Sequence, residues 1–363
     1  MKFKFMSLAA MAACVALASC SNEDEPSANV DGVKALTQVS VGIKTQNSRA
    51  GITAGSFSGT ESLGLFLFGG EGIDDATDGR YNVGSTAALV EPLNVKYTRG
   101  TEGTVGDGNF NEYFVSANPI ILSSKPGKLY TYYPWADGNA DGKAIPVKVA
   151  TNQGTGISDG TADVAEQTDY MYGTTISNVS NATEHVDIVM NHALAMVSFK
   201  FVRNTYPGDG VIERIELRNG AGKSYLLSGD ATMHIGTGAL NLDAAVSDKE
   251  IYCLPAVSLV DLTASEEIPH MLVYPQTEEI AAGDVILSIK MDGKTYELNL
   301  PTELKAGAKY AWTKGNNYLY TLNMNGYGFG ADDEDGRKNI DVTITPWLDN
   351  ETSAGEMNKP LKN

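Results

Sequence analysis

Residues 285–300 read VILSIKMDGKTYELNL. Val285 to Lys290 and Lys294 to Leu300 are two runs of strand character, and Asp292-Gly293 stands between them. Asp-Gly in that position is a strong hairpin signal, because both residues tolerate the positive φ of a tight two-residue turn. The same pattern extends outward along the chain. Val39, Val41 and Ile43 alternate with Ser40, Gly42 and Lys44, the period of two of a half-buried strand. Leu63 to Phe68 reads LGLFLF, and Lys128 to Tyr133 reads KLYTYY and stops at Pro134. Further runs are Ile145 to Val149, Val186 to Met190, Ala195 to Val202, Val211 to Leu217, Ser224 to Leu227, Tyr318 to Met324 and Ile340 to Ile344. Gly, Asn, Asp and Pro separate them. No window sustains a helical stripe for three turns, although a short helix is allowed near residues 301 to 307.

Many short strands at this spacing predict an all-β sandwich or barrel. The chain has no repeat of 20 to 50 residues, which argues against a solenoid or propeller. At 363 residues it has length for two domains, at roughly 150 residues each. The boundary falls near residue 190, where polar loops give way to the strand Ala195 to Val202. Hydrophobic residues are 42% and charged residues 20%, enough for a packed core. The formal charge is −18. Such a surface repels phosphate backbones and argues against nucleic acid as a partner.

The N-terminus reads as an address. Lys2 and Lys4 precede the apolar run Met6 to Leu17, which at 12 residues is short of the roughly 20 that span a bilayer and fits a secretory signal. It ends in Leu17-Ala18-Ser19-Cys20, which resembles the lipobox of bacterial lipoproteins. That resemblance implies cleavage before Cys20, acylation of its thiol and an outer-membrane anchor. Residues 1–19 are then the signal peptide and 20–36 a flexible acidic linker. Within it, Ser21-Asn22-Glu23-Asp24-Glu25-Pro26 is solvated and disordered in composition. It also resembles the acidic export tag of Bacteroidetes lipoproteins, which implies a position on the outer face of the cell. Of the cysteines Cys14, Cys20 and Cys253, only Cys253 remains as a thiol in the mature chain, so no intrachain disulfide is available. Its setting in IYCLPAV predicts a buried small hydrophobe.

The chemistry-bearing motifs are weak. Gly156-Ile157-Ser158-Asp159-Gly160 matches the G-x-S-x-G pattern, but its polar flanks are not the strand-to-helix turn that exposes a nucleophile. Asp137-Gly138-Asn139-Ala140-Asp141-Gly142 matches half of a calcium loop, yet the twelfth position is Lys148 instead of glutamate, so a turn is the better reading. Asp332, Asp333, Glu334 and Asp335 lack alternate ligand spacing. His185, His192, His234 and His270 show no metal-binding spacing, and His192 reads as a satisfied buried imidazole. The residues therefore point to a non-enzyme with no metal and no cofactor.

Several patterns together resemble the Bacteroidales fimbrillin family, the Mfa-like pilins of type V pili. They are Ser48-Arg49-Ala50 ahead of LGLFLF, LYTYYPW at 129–135, Asp169-Tyr170-Met171-Tyr172-Gly173 and Asn191-His192-Ala193-Leu194. The set closes with WTKGNNYLY at 312–320 and VTITPW at 342–347. The resemblance implies two tandem transthyretin-like Greek-key sandwiches, 37–190 and 191–363, the second ending in a polar tail. It implies a subunit of surface fimbriae with a role in cell adhesion, whose partners are other fimbrial subunits in a homo- or hetero-polymer, with a host or bacterial adhesion ligand in addition. A surface protease would cut between Arg49 and Ala50 and release the first strand, Val39, Val41 and Ile43, which reads as covering one edge of the N-terminal sandwich. A strand from another subunit would fill the vacated groove. Ile340, Val342 and Ile344 are the alternating residues of the candidate donor strand. After Leu348 the chain reads DNETSAGEMNKPLKN, too polar for a long donor, so either Ile340 to Trp347 serves or the subunit sits at a tip or capped position. The alternative is a permanently lipid-anchored surface protein that binds glycan or a host ligand and never polymerises.

Overall fold

The computed structural model describes residues 37–346, apart from 44–61, 75–78, 80, 82–91, 100–111, 140, 158–166, 184, 204, 243–246, 249, 260–267, 282, 301–309, 326–327 and 330–339. Among the described residues the chain is all-β, with every regular element a strand. The short helix expected near 301–307 falls outside the described residues, as do Cys20, Arg49 and Ala50.

The first large sheet runs, strand by strand, His185–Ile188, Ser40–Ile43, Glu112–Val115, Val95–Arg99, Ser62–Phe68, Gly127–Tyr133, Met171–Gly173 and Met190–His192, with Ile176–Val179 also on Gly127–Tyr133. Its centre is the pair of apolar runs at 62–68 and 127–133, antiparallel with Gly64 opposite Tyr132. Glycine is needed there: a Cβ at residue 64 would lie 1.9 Å from Cε1 of the buried Tyr132 ring. One core cluster packs against this sheet and is made wholly from residues 39–190, among them Val41, Leu65, Tyr97, Phe114 and Ile188.

Apart from a two-stranded sheet of Thr37–Gln38 with Ile121–Leu122, the remaining described strands form three further sheets. In one, Ala195–Arg203 lies between His270–Val273 and Asn316–Asn325, and Ile340–Pro346 pairs with the outer side of Asn316–Asn325. In the next, Val211–Asn219 pairs with Ile251–Cys253 and with Val285–Met291, which continues into Lys294–Asn299. The Asp-Gly hairpin forms as its residues dictate. Met291 pairs with Lys294, and Asp292 and Gly293 take φ of 48° and 72°. Both values are positive, as a turn matched to the right-handed twist of its strands requires.

The third sheet joins early and late sequence. Ile145–Val149 pairs antiparallel with Gly229 to Met233 of Leu227–His234, whose other partners are Ala239–Leu242 and Ser247–Asp248. A second core cluster draws on both regions, with Phe66, Tyr132, Ile145 and Val147 alongside Phe199, Ile215, Trp312 and Tyr320. Cys253 is buried in it as a free thiol, and burial pushes that thiol up to about 12, so it is inert at neutral pH.

Two strand readings shift. Of the run expected at Ser224 to Leu227 only Leu227 is strand, as the first residue of Leu227–His234. That strand passes through Gly229 and Asp230, both disfavoured by propensity, because their register with Val149 and Lys148 and the pairing of the residues on either side of them override local preference. The run expected at Val186 to Met190 breaks at Val189 into His185–Ile188 and Met190–His192, which take opposite edges of one sheet.

Candidate functional site

Ser40–Ile43 is held on both sides. It runs antiparallel to Glu112–Phe114, with Val41 opposite Phe114, and parallel to His185–Ile188, with Val41 opposite Val186. Just before it, Thr37 and Gln38 pair with Leu122 and Ile121. The Val39 N–H donates to the Ile120 carbonyl at 2.9 Å, and the Ile120 N–H donates to the Tyr97 hydroxyl at 3.0 Å. Alternation puts Val39 and Val41 on the apolar side, where both are buried. Ile43 is described by its backbone register alone. The sequence places this strand at an edge. The structure places it one strand in, with His185–Ile188 as the edge.

That difference changes what leaving would do. An edge strand that departs exposes one ladder, whereas this strand on departure would expose two, with the apolar floor beneath Val39 and Val41. Unpaired backbone on both sides of a slot is a template for another strand.

The candidate donor is occupied in its own chain. Ile340–Pro346 pairs antiparallel with Asn316–Leu322, Val342 opposite Tyr320 and Ile344 opposite Tyr318. Ile344 is half-buried against the larger core. Ile340 and Val342 are described by register alone. Freeing this strand costs seven register pairs, Ile340 with Leu322 through Pro346 with Asn316.

Asp332, Asp333, Glu334 and Asp335 fall outside the described residues, and several of the chemistry-bearing side chains that are described are engaged in structure. Asp137 Oδ1 accepts the Gly138 N–H at 2.9 Å, and Asp141 Oδ1 accepts the Lys143 N–H at 2.8 Å, so these carboxylates fasten a turn. Among the described residues no three His, Cys, Asp or Glu side chains gather. Gly156, at φ 67°, accepts the His270 N–H at 2.7 Å, while Ser158 falls outside the described residues. His192 is buried, with Nδ1 2.9 Å from Asp169 Oδ2. A shallow polar hollow beside Arg218, Lys223 and Glu250 is flanked by the ion pairs Lys223–Asp284 at 2.9 Å and Arg218–Glu297 at 2.6 Å.

Motifs scattered in sequence meet at one seam. Met171–Gly173 pairs with Met190–His192, His192 bonds Asp169, and the Ala193 N–H donates to the Tyr170 carbonyl at 2.8 Å. The Gly315 N–H then donates to the Leu194 carbonyl at 2.8 Å, which ties the WTKGNNYLY stretch to the same point. Trp312 Nε1 donates to the Tyr320 hydroxyl at 3.2 Å, deep in the core. These residues, far apart in sequence, together build one joint.

The fold defines an all-β protein of β-sandwich class. Residues 48–347 match the family model described as fimbrillin-like, and the chain belongs to the fimbrillin-like family. The fold is similar to a crystal structure of a fimbrial protein from Bacteroides vulgatus, with 12% identity, TM-score 0.51 and coverage of 85% of this chain and 99% of that one. It is also similar to candidate cell adhesion proteins from Bacteroides uniformis (16% identity, TM-score 0.55) and Bacteroides ovatus (15% identity, TM-score 0.54), each covering 86% of this chain and 99% of the other. No curated protein matches the chain.

Proposed function

We propose that the chain is a non-enzymatic structural or adhesive subunit of surface fimbriae, exported as a lipoprotein precursor and assembled by β-strand exchange. Family membership supports the fimbrial role and a place at the cell surface. In this reading Cys20 carries the lipid, residues 37–190 and 191–363 form tandem transthyretin-like sandwiches, and cleavage between Arg49 and Ala50 frees the first strand. The observation that carries it is the two-sided pairing of Ser40–Ile43 together with the burial of Val39 and Val41.

Burying each valine stabilises the closed precursor by about 1.5 to 3 kcal/mol. Cutting the chain does not expel the strand; it removes covalent attachment, and a competing strand must then win the slot. Arg49→Ala should leave folding and export normal and accumulate monomeric, lipid-bound precursor, read on gels of the cell-surface fraction. High-molecular-weight, SDS-resistant polymers from that variant would overturn strand release at this position.

A further inference from the structure

His270–Val273 is the outer strand of its sheet: it pairs with Ala195–Ser198, and among the described residues no strand is paired to its other flank. On the inner flank the Phe199 N–H donates to the Pro269 carbonyl at 2.8 Å. Antiparallel alternation then turns the backbone groups of His270 and Leu272 outward. Four groups, two N–H and two C=O, thus face away from the sheet, and all four are taken. The Leu272 N–H donates to Gln153 Oε1 at 2.7 Å, and Gln153 Nε2 donates back to the Leu272 carbonyl at 2.8 Å. The His270 N–H donates to the Gly156 carbonyl at 2.7 Å, and Gln167 Nε2 donates to the His270 carbonyl at 2.8 Å.

The covering groups come from one stretch of chain. Gln153 is itself anchored by its backbone N–H to the Tyr252 carbonyl at 2.8 Å, and Tyr252 and Leu254 donate to Thr151 and Gly154 at 2.8 and 2.7 Å. Gln153 is 1% exposed. A primary amide offers one donor face and one acceptor face, which reproduces what a neighbouring strand would present. It cannot itself be extended, so the ladder stops there.

We infer that Gln153 and Gln167 cap the His270–Val273 edge against strand addition, so that a strand arriving from another subunit is directed to the slot of Ser40–Ile43. The purpose rests on the strand-exchange reading, whereas the capping geometry does not. A protein that assembles through strands is especially exposed to pairing at the wrong edge, since an uncovered edge recruits any extended segment. Sequence alone gave no signal of this: the two glutamines lie in polar loop sequence.

The test uses the full chain carrying Arg49→Ala, so that the exchange slot stays closed and failure of the exchange reading leaves the result unaffected. Into it go Gln153→Ala with Gln167→Ala, and separately Gln153→Met, which keeps the bulk and loses the amide should the double variant fail to fold. Amide hydrogen exchange and sedimentation velocity are measured on each. Losing these bonds should speed exchange at Leu272 by about tenfold. The parent should remain monomeric, and the variants should associate with rising concentration and regain protection at Leu272 in the associated form. Unchanged exchange at Leu272 would overturn the cap. So would faster exchange without association, or association that leaves Leu272 unprotected.

Discussion

Asp292 shows how much one residue can carry beyond its pattern. The Asp-Gly turn was legible because turn chemistry is local. The second role of Asp292 was not. Its carboxylate accepts the Gly210 and Val211 N–H groups at 2.8 and 2.9 Å and the Tyr206 hydroxyl at 2.8 Å, which fastens a loop distant in sequence to the hairpin tip. Those two backbone donors, then the Tyr206 hydroxyl, hold Asp292 below the usual carboxylate range. The same bond, with burial, raises Tyr206 to about 12. The signs follow from linkage. A depressed carboxylate contributes stability that is present above its unfolded value of about 3.9 and lost as pH falls through the folded one. The raised phenol contributes stability that is present below its unfolded value of about 10 and lost as pH climbs towards 12. Asp292→Asn tolerates the turn conformation but accepts only weaker, uncharged bonds. It should lower stability at neutral pH and shrink both losses, as read by urea midpoints from pH 2 to 11. Unchanged pH profiles would contradict the role given to this carboxylate.

At the scale of the element, alternation made most strands visible, and pairing partners stayed hidden. Val39 and Val41 face inward as their period of two requires, since one face of the strand is buried. Their parallel partner at 185–188 is far away in sequence and leaves no local trace. The same holds for Ile145–Val149, a run whose cross-region pairing with 229–233 nothing nearby announces. Leu227–His234 escaped notice for the opposite reason: its glycine and aspartate argue locally against the strand that its neighbours impose. The inserted position of Ser40–Ile43 yields a specific expectation. Val41→Ala should destabilise the uncleaved precursor by about 2 kcal/mol, from lost transfer energy and a residual cavity. In the cleaved form it should speed displacement of the strand by a competitor peptide of sequence TQVSVGI. Equal displacement rates for variant and parent, measured by fluorescence of the labelled peptide, would mean that Val41 does not hold the slot.

At the scale of the whole molecule, the described residues form two core clusters. One is built only from residues before 191, and the other takes side chains from both early and late sequence. The joint between them carries the Asp169–Gly173, Asn191–Leu194 and Trp312–Tyr320 stretches. These three stretches are engaged in strand pairing and buried hydrogen bonds. Such bonds leave a trace in residue type, which is why the class of fold was legible in the sequence. The lipid reading belongs to this scale as well. More than one acyl chain on Cys20, at about 0.8 kcal/mol per buried methylene, should hold the precursor firmly in the membrane. Cys20→Ala should shift it to the soluble fraction and abolish labelling by radioactive palmitate; persistent labelling would remove the lipobox.

The central claim is that the mature subunit is the chain without its first strand, held to its neighbours by a strand that replaces it. The most direct test is N-terminal sequencing of this chain in fibres sheared from the cell surface. The account predicts polymers whose chains begin at Ala50 and lack Val39, Val41 and Ile43. Chains beginning at a lipid-modified Cys20, recovered only as monomers in the membrane fraction, would contradict it and favour the permanently anchored protein.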